Sequence, residues 1–275
     1  MSDYAFPEGG VPPQTQLLTG RAVFTTAYAV IPRRVMTDIV VTRFPHWKGQ
    51  RAWVLARPLT GFAETFVEQI VELAPGGGSD RPEPSPGAES VLFVTRGRLS
   101  LDLGEGRHEL EPGAYVYIAP GAKWRIWNAS GEPAGFVWIR KSYREAEGLP
   151  MPESFVTCEA DVPVTWMANS NETWGTQSFV PPDDLSHDMH VNIVTFEPGG
   201  LIPFSETHVM EHGLYVLEGK AVYRLNADWV EVEAGDFMWL RAFCPQACYA
   251  GGPDRFRYLL YKDVNRHASL SLGGA

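Results

Sequence analysis

Residues 206–212 read Glu-Thr-His-Val-Met-Glu-His, which sets two imidazoles and two carboxylates close together. Imidazoles and carboxylates are the usual protein ligands of divalent cations and the usual carriers of protons. Taken alone, His208-x-x-Glu211-His212 is a zinc-binding pattern when it lies on a helix. Which carboxylate joins the imidazoles therefore depends on the backbone. A helix turns about 100° per residue, so it brings His208 beside His212 and swings Glu206 about 200° away from His208. Extended chain does the opposite: Glu206, His208 and His212 share a side, and Glu211 faces away.

The flanking sequence selects the extended form. Gly213 follows at once, and Leu214-Tyr215-Val216-Leu217 has strand composition. The helical zinc signature of the inverted metallopeptidases is then a coincidence of letters. With extended chain, Gly200-x5-Glu206-x-His208-x3-His212-x6-Gly219 resembles the first motif of cupin barrels, with Glu and His exchanged at its ends. A second cupin motif starting at Gly235 puts Gln246 where that family's further histidine stands. The resemblance therefore implies a ligand set of Glu206, His208, His212 and Gln246. Two imidazoles, a carboxylate and a carboxamide without a thiolate suit octahedral Mn²⁺ or Fe²⁺ better than closed tetrahedral zinc. Such a set leaves two positions for chelating a small molecule. Cys244 and Cys248 share strand parity with Gln246 and are expected as small apolar packing.

These residues sit in the second of two similar halves. Residues 91–124 and 214–246 follow one plan at an offset of 122, which superposes Val94 on Val216, Gly97 on Gly219, Glu111 on Glu233 and Gly113 on Gly235. ELAPGG at 72–77 matches FEPGG at 196–200 after a one-residue adjustment. Short alternating runs are broken at Arg96-Gly97, Gly104–Gly106, Glu218-Gly219 and Asn226–Asp228, so each half reads as a β-barrel. The expected fold is all-β, two tandem cupin jelly-roll barrels. Residues 1–150 form an N-terminal barrel whose first ~60 residues add strands or an arm, and residues 151–275 form a linker followed by the C-terminal barrel. ASLSLGGA at the end is expected to fray.

The first half serves as an internal control. Subtracting 122 from the ligand numbers gives Pro84, Pro86, Ser90 and Trp124, none of which suits a hard cation. Glu89 is adjacent but has the wrong parity. This barrel is expected to be metal-free.

Composition narrows the function classes. The 275 residues are 44% hydrophobic and 20% charged, which is globular, with a net charge of −10. No basic run interleaved with aromatics is present, so nucleic acid is not an expected partner. Three cysteines form no framework spacing, and no apolar stretch reaches a membrane span. These features, with an N-terminus lacking a signal pattern, predict a cytoplasmic protein with no membrane partner.

The last third supports a finer resemblance. ETHVMEHG, LEGKAVYRLNADWVEVEAGDFMWLRAFCPQ and RYLLYKDVNR resemble the (S)-ureidoglycine aminohydrolases of allantoin degradation, and LLTGRAVF extends the likeness more weakly toward the N-terminus. This resemblance implies a bicupin with one Mn²⁺ in the C-terminal barrel, held by Glu206, His208, His212 and Gln246. It implies release of ammonia from (S)-ureidoglycine to give (S)-ureidoglycolate, with Tyr223, Tyr258 and Lys262 at the substrate. It also implies a homo-oligomer. Glu206 and Lys262 are the expected catalytic pair, and Glu206 and Gln246 also border the substrate. Strand parity alone puts Tyr258, Leu260 and Lys262 on one face, but Leu259 and Tyr261 make the other face equally apolar. The alternatives are an Fe²⁺ cupin dioxygenase or isomerase, and a non-catalytic small-molecule-binding bicupin.

Overall fold

In the computed structural model the described residues are 21–33, 36, 42–59, 61–81, 87–264 and 266. Strands supply nearly all of their regular structure, beside short 3₁₀ pieces such as the turn at Glu159–Asp161. The N-terminal half runs β1 (Val23–Phe24), β2 (Tyr28–Ile31), β3 (Trp47–Ala56), β4 (Phe66–Ser79), β5 (Ala88–Arg96), β6 (Leu99–Leu103), β7 (Gly106–Leu110), β8 (Ala114–Ile118), β9 (Trp124–Trp127) and β10 (Ala134–Ser142). It is followed by β11 (Phe155–Cys158), β12 (Thr165–Trp166), β13 (Trp174–Ser178) and β14 (Met189–Phe196). The C-terminal run is β15 (His212–Glu218), β16 (Lys220–Leu225), β17 (Asp228–Glu233), β18 (Phe237–Leu240), β19 (Gln246–Tyr249) and β20 (Phe256–Asp263). β5 to β10 and β15 to β20 correspond one for one at the sequence offset of 122. Among the described residues no helix is long and apolar enough to cross a membrane.

The sheets are antiparallel. One has the order β11-β8-β5-β10-β4-β9-β6-β7, with β3 also on β4. The other large sheet is β1-β2-β18-β15-β20-β14-β13-β12, and β17-β16-β19 forms a third, facing it across the second barrel. Gly97 turns the chain between β5 and β6, and Gly219 between β15 and β16, with φ of 69° and 73°. A Cβ at Gly219 would lie 2.2 Å from the Arg255 carbonyl oxygen, so the turn excludes other residues by space as well as by φ.

The edges of the barrels differ from the sequence expectation. Residues 21–31 were expected to extend the first barrel, yet β2 pairs with β18 of the second, Tyr28 opposite Leu240 and Ile31 opposite Phe237. In return β11, from the segment expected to link the halves, pairs with β8 of the first barrel, Phe155 opposite Tyr117. Each half thus lends a strand to the other. β8 and β18 are equivalent strands with an edge to satisfy, and the strand that satisfies it is chosen by tertiary placement, not by nearness in the chain. Within the first ~60 residues, positions 38–41 lie outside the described residues, as do the tail 268–275 and positions 84 and 86.

Alternation along the central strands explains why both of their faces are apolar. Tyr258 and Leu260 of β20 point into the second barrel, among Val194, Leu214 and Val216. Leu259 and Tyr261 point the other way, into a core shared by both barrels with Phe66, Tyr117 and Trp239. The Phe66 and Tyr261 rings stack at 3.9 Å across that interface. A strand covered on both faces reads as a nearly continuous apolar run, which is what left its inward face undecided in the sequence.

Candidate metal centre

The site lies at one end of the second barrel, where β15 begins and β20 ends. Residues 201–211 reach it as an irregular connection, pinned by isolated bridges from Leu201 to Tyr249 and from Glu206 to Gln246. Glu206 and Gln246 exchange two backbone hydrogen bonds of 2.9 Å, which fixes their side chains as neighbours. His208 follows without regular structure, a bend takes in Val209 and Met210, and regular strand resumes only at His212. The stretch is therefore not helical, although the continuous strand expected through 206–212 is interrupted around 207–211. Pro203 and the flanking Gly200 and Gly213 account for the absence of a helix.

Glu211 faces away from the site, as parity requires. Its carboxylate accepts hydrogen bonds from the backbone N–H of Glu64 (2.7 Å) and Thr65 (2.8 Å), from the Thr65 hydroxyl and from the Trp239 indole. All of these lie at the junction with the first barrel. The carboxylate that accompanies the imidazoles is Glu206.

The four expected ligands are gathered. His208 Nε2 lies 3.3 Å from Glu206 Oε1, Gln246 Nε2 lies 3.4 Å from the same oxygen, and the His208 and His212 rings are 5.0 Å apart between centroids. Cis donors at about 2.1–2.2 Å from a shared octahedral ion would stand about 3 Å apart, close to the first two separations. A carboxamide can present either end, so a half-turn of Gln246 would bring its oxygen to the same place. Among the described residues no group of three or more His, Cys, Asp and Glu side chains is placed so as to hold a metal ion; the contacts present are pairwise, Glu206 with His208, His208 with His212, and Gln246 with Glu206. Burial, helped by His208 and Lys262, pushes the His212 pKa down to about 3, so its ring is the neutral form that ligates metals. This donor set fits a hard-to-borderline divalent cation.

Lys262 stands beside the set. On β20 it is opposite His212 of β15 and opposite His190 of β14. Burial lowers its pKa, and it has no ion-pair partner among the described residues. Tyr258 lies deeper on the same face, and Tyr223 approaches it from the third sheet with ring centroids 6.1 Å apart. Burial first, then nearby groups, holds both phenols far above their usual range, so both remain protonated. Glu206 is among the groups acting on Tyr258, which brings the phenol within the influence of the ligand cluster. Cys244 and Cys248 are buried in the second barrel's core.

Two polar residues of this interior escaped the sequence reading. His190 and Asn192 alternate with Val191 and Ile193 on β14, and are 3% and 5% exposed. Burial and the neighbouring Lys262 push the His190 pKa down to about 4. The signal available was MHVNIV, in which polar residues recur at every second position of an apolar strand. Without the register that sets β14 beside β20, nothing directed them at the metal set.

Fold and site together define a class. The chain belongs to the cupin family, whose cupin-domain model matches residues 69–140 and 192–261. Within it, its relatives are the (S)-ureidoglycine aminohydrolases. It is 28% identical to the Escherichia coli (strain K12) protein of that name, over 84% of this chain and 87% of that one. It is 29% identical to the Arabidopsis thaliana protein, over 90% of this chain and 79% of that one. A crystal structure from Pseudomonas aeruginosa, under the working description of a glyoxylate-induced protein, is 63% identical with a TM-score of 0.90, covering 99% of this chain and 100% of that one.

Proposed function

We propose that this protein is a Mn²⁺-dependent hydrolase that converts (S)-ureidoglycine and water into (S)-ureidoglycolate and ammonia, a step of purine degradation by way of allantoin. The observation that carries the reading is the gathering of Glu206, His208, His212 and Gln246 next to a Lys262 with no ion-pair partner among the described residues, in a chain whose curated relatives carry that activity as their name.

Glu206, His208, His212 and Gln246 would hold one cation, which when bound supplies Lewis-acid polarisation and a template for a chelating substrate. The rest of the chemistry belongs to side chains of the chain itself. Lys262, a compact charge without a counter-ion among the described residues, receives the substrate carboxylate. Tyr223 and Tyr258, kept protonated by burial, offer hydroxyl donors and no competing negative charge. Glu206 takes a proton from the attacking water and passes it to the departing amine as the carbon–nitrogen bond breaks and the carbon–oxygen bond forms. Burial of the surrounding walls limits access of other water to the reacting carbon. Self-association of the chain is part of the same proposal and is checked by light scattering.

The test is a stereospecific ammonia-release assay on freshly generated (S)-ureidoglycine with the Mn²⁺-loaded protein. Ammonia release that is lost on chelation and restored by Mn²⁺ is expected. Oxygen uptake by Fe²⁺-loaded protein, without ammonia release, would instead favour a dioxygenase.

A further inference from the structure

Below the row His190, Lys262 and His212 runs a second row on the same three strands: Asn192, Leu260 and Leu214. On its other side Asn192 faces Ser178 of β13 across the ladder. Asn192 is 5% exposed, and its Oδ1 has no hydrogen-bond partner among the described residues. A buried carboxamide oxygen left unpaired is a net cost to the fold, and the two leucines beside it cannot relieve it. Its position suits a ligand. Diagonal neighbours on adjacent antiparallel strands, such as Asn192 and Lys262, lie about 7–8 Å apart, close enough for one small molecule to touch both side chains. The carboxylate carbon and terminal nitrogen of a ureido acid are four bonds apart, about 5 Å when extended.

We infer that Asn192 is a specificity-determining residue that reads the ureido end of the substrate while Lys262 takes its carboxylate. A carboxamide and a ureido group carry complementary donor and acceptor pairs, so they form two parallel hydrogen bonds when the asparagine N–H faces the ureido carbonyl and its Oδ1 accepts from the ureido N–H. This assignment rests on the proposed hydrolase reading. The corresponding row of the first barrel holds Gln69 opposite Trp138, and Gln69 supplies a control position away from the metal set.

The experiment uses the full chain loaded with Mn²⁺ and two stable probes as competitive inhibitors of ammonia release from (S)-ureidoglycine. N-carbamoylglycine has the carboxylate and the whole ureido group but no leaving amine. N-acetylglycine lacks the terminal amide nitrogen. Wild-type protein is expected to prefer N-carbamoylglycine by about tenfold. Asn192→Leu should erase that preference and raise KM for (S)-ureidoglycine about tenfold, with bound Mn²⁺ and melting temperature retained. Asn192→Ser, smaller and polar, should lose the preference as well and covers a leucine that fits poorly. Gln69→Leu should leave the preference intact. Equal inhibition of wild type by the two probes, or a preference that survives in both Asn192 variants, overturns the assignment while leaving the hydrolase reading standing. Wild-type protein that releases no ammonia overturns that reading, and this assignment with it.

Discussion

The two barrels share a strand order and an offset of 122 residues, yet their interiors were filled in opposite ways. Where the second has Gln246, Leu260 and Lys262, the first has Trp124, Trp138 and Arg140. Trp124 and Trp138 meet edge to face at 5.5 Å and Trp47 joins both, so bulky rings occupy the space that the ligand cluster uses in the second barrel. The Arg140 guanidinium lies 4.4 Å from the Trp138 ring centroid, whereas Lys262 has no ion-pair partner among the described residues. The lesson is that a repeated β-framework supplies positions, and side-chain volume decides whether a position becomes packing or a site.

The same contrast recurs at the junction of the barrels, where Glu89 and Glu211 are equivalent. Glu211 is satisfied by four donors, three from the approach to β4 and one from β18. Glu89 accepts from the Tyr117 hydroxyl at 2.8 Å, while its Oε1 has no partner. Burial, against the opposing pull of Tyr117, raises its pKa to about 7. One carboxylate is a clasp and its twin is a strained acid.

The sharpest way to break the comparison between barrels is to remove an imidazole. His208→Ala or His212→Ala should lose bound Mn²⁺ and lower kcat/KM by about 10³-fold or more, read by elemental analysis and ammonia release. Turnover retained in metal-free protein would sink the site. At the junction, Glu211→Ala strands two backbone N–H groups and an indole, and should cost about 3 kcal/mol or more in urea unfolding. An unchanged midpoint would mean that the clasp carries no weight.

Lys262→Ala should keep the metal and raise KM by about 10–100-fold, the scale of a charge-assisted hydrogen bond. Unchanged kinetics would return Lys262 to a packing role. Glu89 gives a pH signature. Its pKa is higher in the folded than in the unfolded chain, so the folded state holds the extra proton and stability falls as pH rises from about 4.5 to about 7. Glu89→Gln should remove that decline and gain about 1–2 kcal/mol at pH 8, with little change at pH 4. A variant that gained equally at both pH values would contradict the raised pKa. The smallest effect is expected at Arg140→Ala in the first barrel, which should leave turnover within about twofold of wild type, since a single ring–cation contact is worth only about 1 kcal/mol and lies outside the metal set.

Much of this was legible before any coordinates. Period-two alternation and repeated Gly turns announced two β-barrels, and the 122-residue offset aligned six strands of each half. Residue spacing also pointed to Glu206 rather than Glu211 as the carboxylate beside His208, and the structure places Glu206 next to that ring and Glu211 at the junction of the barrels. It failed where strands choose partners. β2 and β11 cross to the opposite barrels, and His190 and Asn192 become neighbours of Lys262 only through the β14–β20 register. The loop at 207–211 also departs from regular strand while keeping the ligands together, because the Glu206–Gln246 bridge fixes one end and β15 the other.

By itself, then, the chain's order of residues determined the secondary structure, the duplication and the kinds of donor available, since all three arise from neighbours a few positions apart. Which edge each lent strand would cover, and which polar side chains would meet at the barrel end, was decided only in three dimensions. Those outcomes depend on long-range hydrogen-bond register and on competition for space in a shared core, and neither is written in any short stretch of sequence.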